Sequence, residues 1–279
     1  MFLEYTGLGD GLPLVRPDDE SITVMLDGRD PDADAVDGPV PIAFAVPTWW
    51  DLAACSVLAG CAAGSLTLVA SAIDALTDPA FNLLGVQATT GAAAPLIIVE
   101  GEAVTRFGLN AGAGSLGPGR RANASIGRAI RLALQGVGQC APGEGDMATH
   151  GHPGKYSWLV AENRPQNAWA RGPALGQVTV FAGVGNVEVV LPTTTPDHVA
   201  QRLAQVIDGI AASDNVVLLP PESAAFLDRH GWDEARLRGE MAAGTGRKPL
   251  VVVTGGVGVK ATVVPGWGGG SLPVTRRVE

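Results

Sequence analysis

From residue 177 to residue 254 the chain alternates short apolar runs of β type with amphipathic helical stretches, and this alternation constrains the fold most. The predicted strands are Gln177–Ala182, Val187–Leu191, Asn215–Leu219 and Pro249–Thr254, with a further strand at Val259–Val264. The predicted helices between them are Pro196–Ala212, Glu222–His230 and Asp233–Ala243. Such spacing is typical of a parallel or mixed sheet covered by helices. The sequence therefore predicts an α/β fold.

The residues before this region follow a different pattern, in which predicted helices rich in small residues precede short β-type runs. Thr48 is a predicted N-cap for a helix that begins at Trp49, and Gly64 and Ser65 precede a second helix that ends near Leu76. The predicted strands are Leu84–Thr89, Pro95–Val99 and Tyr156–Ala161. A boundary near residues 171–176 divides the chain into subdomains 1–172 and 173–279, and we expect them to share one cleft.

Charge and composition exclude several classes of partner. The chain has 279 residues, 46% hydrophobic, with a net charge of −9, which argues against a nucleic-acid groove or a basic membrane-docking face. The N-terminus lacks a basic leader followed by an apolar core, and the apolar run at residues 52–73 is interrupted by small and polar residues. Three cysteines leave an odd count without metal-type spacing. We expect a cytoplasmic protein with reduced thiols that binds neither membrane nor nucleic acid.

A glycine-rich loop leads into a helix at residues 110–131, which read NAGAGSLGPGRRANASIGRAIR. Backbone N–H groups at such a junction can hold an anion, although the spacing matches neither the P-loop nor the dinucleotide fingerprint. The predicted substrate-binding residues are Asn110, Arg120, Arg121, Asn123, Ser125 and Arg128, with Thr89 and Thr90 from the TTGAAA turn. The alternative is a surface loop before a helix whose Arg128 and Arg131 are merely solvated.

The densest group of acid–base residues lies at residues 149–163, which read THGHPGKYSWLVAEN. The predicted catalytic residues are His150, His152, Lys155, Tyr156 and Glu162. A histidine would serve as general base, and Lys155 or Tyr156 as acid or oxyanion stabiliser. In the alternative interpretation the histidines only form loop hydrogen bonds and Lys155 is a surface lysine.

Two other chemistries are considered for the same region. His150 and His152 could bind a metal with a distant carboxylate such as Asp146 or Glu162, but Pro153 and Gly154 favour a turn there and no strong third ligand is evident. A nucleophilic thiol at Cys61 has no basic neighbour in the sequence. We therefore predict neither a metal ligand nor a cofactor.

Five segments resemble a family of uncharacterised bacterial proteins that are associated with UGSC-motif (seleno)proteins. They are DGLPLV at 10–15, DPAFNLLGVQATT at 78–90, GPGRRANASIGRAIRLAL at 117–134, HGHPGKYSWLVAEN at 150–163 and PGWGGGSLPVTRRV at 265–278. The resemblance implies a UGSC-type protein as a partner, and the chain has no UGSC motif of its own.

These features lead to a functional hypothesis with two alternatives. The leading hypothesis is an enzyme that uses acid–base chemistry on a small anionic metabolite, as a carbon–heteroatom lyase or a hydrolase. The alternatives are a non-catalytic partner subunit of a thiol- or selenol-dependent reductase and a plain ligand-binding protein. Homo-oligomerisation is a further hypothesis.

Overall fold

The computed structural model describes residues 9–210, 214–246 and 248–279. Within these ranges the chain forms two four-stranded mixed sheets with helices, which confirms the predicted α/β class. The helices are α1 (Asp19–Leu26), α2 (Trp49–Leu58), α3 (Leu66–Thr77), α4 (Leu83–Ala88), α5 (Glu102–Arg106), α6 (Arg121–Gly136), α7 (Pro196–Ile210), α8 (Pro221–Arg229) and α9 (Glu234–Thr245). The strands are β1 (Ala94–Glu100), β2 (Leu159–Ala161), β3 (Gln177–Gly183), β4 (Val187–Val190), β5 (Asn215–Leu219), β6 (Leu250–Val253), β7 (Lys260–Pro265) and β8 (Val274–Arg277).

The two sheets have different strand orders. The first sheet has the order β2-β1-β3-β8, with β1 and β2 parallel and the other neighbours antiparallel. It takes strands from both sides of residue 172, since β3 and β8 belong to it. The second sheet has the order β4-β7-β5-β6, with β5 and β6 parallel. The predicted cleft shared by two subdomains is not confirmed.

Alternating side chains on the strands divide the core into three clusters, which gives four layers in the order helix, sheet, sheet, helix. Along β1, Ile97 and Val99 pack with α2, α3 and α6, whereas Leu96 and Ile98 pack against the second sheet. A third cluster joins the outer face of the second sheet to α7, α8 and α9. Period-two alternation of the strands supplies both faces of each sheet. Helix α6 therefore lies on the outer face of the first sheet.

Several helix starts follow from local capping chemistry. The Thr48 hydroxyl accepts a hydrogen bond from the Asp51 N–H at 3.2 Å, and the Asp51 carboxylate accepts one from the Thr48 N–H at 2.9 Å. Asp233 caps α9 by accepting from the Arg236 N–H at 2.8 Å. Both caps satisfy N–H groups that the first helical turn leaves open.

One predicted strand is wrong, and a second is longer than the strand observed. Residues 84–89 lie largely in helix α4 because Asn82 adopts φ 55° and its side chain accepts from the Gly85 N–H at 3.2 Å. The predicted strand Tyr156–Ala161 is limited to β2, because a 3₁₀ turn at Pro153–Lys155 occupies the residues just before it. Strand β8 was not predicted at all.

Two sequence predictions concern residues outside the described ranges. The first is the predicted end of α7 at Ala212. The second is the interpretation of the N-terminus, whose residues 1–8 lie outside these ranges. Within the described ranges, no helix is both long and apolar enough to cross a membrane.

Candidate functional site

An open cavity of about 580 Å³ lies between α6 and the loop that precedes β2. Four of the predicted catalytic residues line it, together with residues of α6, of the loop at 142–148 and of the segment before α1. Its polar side chains are Asp10, Arg131, Gln135, Asp146, His150, His152, Lys155 and Tyr156. We call it the His–Lys cavity. Its volume falls in the range of small-molecule sites, about 300–1,000 Å³.

A buried carboxylate with two cations forms the floor of this cavity. Both oxygens of Asp146 accept from the Lys155 Nζ at 2.6 Å, and the Arg131 Nη2 lies 3.7 Å from Asp146 Oδ2. The side chains of all three residues are at most 15% exposed. One carboxylate thus balances only one of two cations, and the floor keeps one positive charge in excess.

Helix α6 holds the loop in this position through backbone contacts. The Arg131 Nε donates to the Lys155 carbonyl at 2.8 Å, and the Ser157 hydroxyl donates to the Ala124 carbonyl at 2.9 Å. Gly127 allows this close approach, since a Cβ there would lie 2.4 Å from the Ser157 Oγ. The guanidinium of Arg131 therefore both positions the loop and charges the cavity.

The ring of His152 is fixed in one tautomer by its neighbours. Its Nδ1 accepts from the Gly154 N–H at 3.0 Å, and its ring packs edge-on against Trp158 with centroids 4.6 Å apart. Burial, followed by the charges of Lys155 and Arg131, lowers the pKa of His152 below its ordinary value. A neutral ring with Nδ1 as acceptor carries its proton on Nε2. That Nε2 is buried and has no hydrogen-bond partner among the described residues.

His150 and Tyr156 lie at the open side of the cavity. Both side chains are exposed, Tyr156 to 50%. Neither forms a hydrogen bond to another side chain in the described part of the chain. Their polar atoms are therefore accessible from the solvent-filled side of the cavity.

The segment before α1 is fastened over α6 by Arg128. Its Nε and Nη2 donate to the two carboxylate oxygens of Asp10 at 2.6 and 2.7 Å, and its Nη1 donates to the Pro13 carbonyl at 2.9 Å. Gln135 donates to the Gly9 carbonyl at 2.7 Å. Arg128 is therefore neither solvated nor directed at the cavity: its donors are committed to this segment.

Glu162, the fifth predicted catalytic residue, lies apart from the other four. It follows β2, so three strand residues at about 3.3 Å each separate it from Trp158. Its carboxylate is buried and accepts from the Gly101 N–H at 3.3 Å and from the Asn167 Nδ2 at 3.0 Å. Glu162 does not line the His–Lys cavity.

The glycine–arginine loop lines a different and smaller cavity of about 320 Å³. Asn123 is buried there, accepting from the Asn110 N–H at 2.7 Å and donating to the Asn110 carbonyl at 2.9 Å. Ser125 is also buried, whereas Arg120 and Arg121 are exposed, and Arg120 donates to the Gly108 carbonyl at 3.4 Å. Ser157, Trp158 and Leu159 of the 149–163 stretch also line this smaller cavity, but His150, His152, Lys155 and Tyr156 do not.

Thr89 and Thr90 support the chain near Thr149, where the stretch that contains His150 and His152 begins. The Thr89 hydroxyl accepts from the Gly91 N–H at 3.1 Å, and the Thr90 carbonyl accepts from the Thr149 N–H at 2.9 Å. The contact of Thr90 is made by its backbone, and neither threonine lines the His–Lys cavity.

Sequence reasoning missed Arg131 and Gln135 as cavity residues and considered Asp146 only as a metal ligand. One signal was available, because Arg131 and Gln135 stand four residues apart and so share a face of the predicted helix. Pairing of Asp146 with Lys155 had no local signal. It depends on a loop that returns to α6.

Thiol and metal chemistry have little support at this site. Burial raises the pKa of Cys61 to about 12 and that of Cys140 to about 11, so both thiols are protonated at neutral pH and are weak nucleophiles. In the described part of the chain, no three His, Cys, Asp or Glu side chains are grouped so that they could hold a metal ion.

The chain matches no model of a known protein family, and it matches no curated protein in sequence. The function is therefore inferred from the geometry of the site.

Proposed function

We propose that the protein is an enzyme that uses acid–base chemistry on a small anionic metabolite, as a carbon–heteroatom lyase or a hydrolase. The observation that carries the proposal is the single carboxylate of Asp146 between Lys155 and Arg131, in a cavity that also presents two histidines and a tyrosine. Excess positive charge at the floor of the cavity attracts an anionic group.

Each cavity residue has a role that its surroundings support. Lys155 and Arg131 hold the carboxylate or phosphate of the substrate, and Asp146 keeps both cations in place. His152 donates its Nε2 proton as a hydrogen bond to a substrate oxygen on which negative charge develops, since its Nδ1 is already occupied. A neutral histidine in this role needs a low pKa, which matches the direction found here.

Proton transfer then falls to the two exposed residues. In a lyase reaction His150 removes a proton from the carbon beside the bound anionic group, and Tyr156 protonates the departing heteroatom. In a hydrolase reaction His150 removes a proton from the attacking water instead. Both residues line the open side of the cavity, where a substrate enters.

Three of the segments that carry the family resemblance meet at this cavity. They contribute Asp10, Arg131 and the run from His150 to Tyr156. This convergence supports a site at the His–Lys cavity over one at the glycine–arginine loop.

The first test measures anion binding without requiring a known substrate. We expect succinate or phosphate to raise the pKa of His152, followed by NMR of the imidazole C2 proton, because a bound anion favours the imidazolium. Arg131→Gln should abolish the rise, whereas Lys260→Met, at an exposed lysine outside the cavity, should leave it unchanged. Equal behaviour of the two variants would contradict anion binding here.

The second test measures turnover on a panel of small 2-hydroxy, 2-amino and 2-thio carboxylates and their amides, with products detected by mass spectrometry. For any substrate found, His150→Gln and His152→Gln should each lower kcat at least about 100-fold, as expected for a proton-transfer or oxyanion-stabilising group. Wild-type rates in both variants would contradict the proposal. Binding without turnover of any panel member would favour the ligand-binding alternative.

A further inference from the structure

A second cavity, of about 410 Å³, is lined by four arginines from three separate segments. Arg29 comes from the loop after α1, Arg106 from the end of α5, and Arg276 and Arg277 from β8. We call it the arginine cavity. It shares no lining residue with the His–Lys cavity.

Helix α3 forms one wall of the arginine cavity. Its residues Thr67, Ala70, Ser71 and Asp74 line it, and their spacing places them on one face of the helix. The small side chains at this face leave room for a ligand beside the guanidinium groups.

The carboxylates in this region neutralise only part of the positive charge. Arg276 is paired with Asp74 at 2.5 Å and with Asp78 at 2.8 Å, which together account for that guanidinium. In the described part of the chain, Arg29, Arg106 and Arg277 form no ion pair with a carboxylate, and Glu279 is the one further acid lining the cavity. The four arginines thus exceed the three carboxylates of Asp74, Asp78 and Glu279 by a single positive charge, in a chain whose net charge is −9.

Two of these guanidinium groups are oriented by their neighbours. Arg29 lies 4.9 Å from the centre of the Trp49 ring and donates to the Leu26 carbonyl at 3.0 Å. Arg106 lies 5.1 Å from the centre of the Phe107 ring. Stacking on an aromatic ring leaves the edge of a guanidinium available to a planar or tetrahedral oxyanion.

A neutral hydroxyl in the same wall also lacks a partner. The Thr67 Oγ1 is buried and forms no hydrogen bond within the described residues. A buried hydroxyl without a partner is unfavourable, so a ligand oxygen in this cavity would relieve that cost.

We propose that the arginine cavity is a binding site for a small multivalent oxyanion, a molecule with at least two carboxylate or phosphate groups. Arg29 and Arg106 contact its charged groups, and Thr67 donates to one of its oxygens. The site is independent of the chemistry proposed for the His–Lys cavity.

Calorimetric titration of the full chain with inorganic pyrophosphate and with citrate, at low ionic strength, tests this proposal. We expect saturable binding of at least one of them, with a component of one site per chain that Lys155→Met in the His–Lys cavity leaves unchanged. Stronger binding of pyrophosphate identifies phosphate as the preferred group, and stronger binding of citrate identifies carboxylate. Absence of saturable binding of both would overturn the proposal.

Four variants distinguish binding in the arginine cavity from non-specific attraction to the protein surface and from binding in the His–Lys cavity. Arg106→Gln should weaken binding at least about 10-fold, given the strength of charge-assisted hydrogen bonds, and the charge-neutral Thr67→Val should weaken it several-fold. The matched control is Arg202→Gln, at an exposed arginine of α7. Equal weakening by this control, or weakening by Lys155→Met without any by Arg106→Gln, would overturn the proposal.

Discussion

The two ends of strand β2 carry opposite charge and differ in how that charge is compensated. Before the strand, Lys155 and Arg131 face one buried carboxylate beside an open cavity. After the strand, the carboxylates of Glu162, Glu100 and Glu234 lie near one another with Arg164. The first end leaves donors facing a cavity, whereas the Glu162 carboxylate is already occupied by backbone and side-chain donors.

The difference also shows in the directions of two pKa shifts. Burial, with the nearby cations, lowers the pKa of His152, and burial, with the charges of Glu162 and Glu234, raises the pKa of Glu100 to about 7. Each shift disfavours the charged form of a group in an environment that already holds the same sign. At the first end an incoming anion would relieve this repulsion. At the second end, protonation of Glu100 relieves the repulsion without any ligand.

The largest expected effect is on stability and comes from a substitution at the start of β2, which we call the cation end because Lys155 and Arg131 lie beside it. Asp146→Asn removes the carboxylate but keeps a similar shape, so Lys155 and Arg131 become buried cations without a counter-ion. We expect the free energy of unfolding to fall by about 3–5 kcal/mol, the usual consequence of breaking a buried ion pair, as measured by urea denaturation.

The control for this variant is Glu144→Gln, which removes an exposed carboxylate two residues earlier. It should change stability by less than about 0.5 kcal/mol. If Asp146→Asn is as mild as the control, the ion cluster is not the structural floor of the cavity.

The next effect is expected after β2, at what we call the carboxylate end because Glu100, Glu162 and Glu234 lie there. Removal of a charge at this end should raise the free energy of unfolding. The pKa of Glu100 is about 7 in the folded chain and 4.5 in its ordinary state. Between these values the folded state keeps a proton that the unfolded state has lost, so stability falls as pH rises from 4.5 to 7 and remains reduced above 7. Glu100→Gln should therefore stabilise the protein by up to about 3 kcal/mol at pH 8.5 and by much less at pH 5.

The measurement is urea denaturation of Glu100→Gln and wild type at both pH values. Glu102→Gln is the control, since Glu102 is exposed at the start of α5. A gain that is equal at pH 5 and pH 8.5 would show that the charge of Glu100 is not its source, and would remove the contrast between the two ends.

The fold was largely predictable because its main signals are local. Strand β5 and the start of α2 follow from an apolar run and from the Thr48 cap, which act over a few residues. The error at residues 84–89 has a local cause too: Asn82 in a left-handed conformation starts a helix in an apolar run that also suits a strand. Strand β8 was missed because VTRR has a strand's character only once it pairs with β3.

The candidate site was less predictable because it depends on contacts across the chain. The run from His150 to Tyr156 was identified from its density of polar residues, and it lines one cavity. Glu162 was grouped with it by closeness in sequence, although an extended strand carries the chain away from the cavity. Arg131 was interpreted as a solvated residue in the alternative reading, since its contact with the Lys155 carbonyl spans 24 positions.

The smallest expected effect tests whether the cation end extends to the glycine–arginine loop, which flanks the start of β2. Arg120 and Arg121 are exposed, and neither lines the His–Lys cavity. The double variant Arg120→Gln/Arg121→Gln should change the free energy of unfolding by no more than about 0.5 kcal/mol, as surface substitutions do. It should also leave the response of the His152 pKa to succinate unchanged, because charges exposed to solvent are screened over about 10 Å at 0.1 M salt.

Arg131→Gln is the matched comparison for this double variant, since it removes a single guanidinium from the same helix but from inside the cavity. A loss of the succinate response in the double variant, equal to that in Arg131→Gln, would place the anion between the two loops. The cation end of β2 would then be a larger site than the His–Lys cavity, and Arg120 and Arg121 would have to approach it when the anion binds.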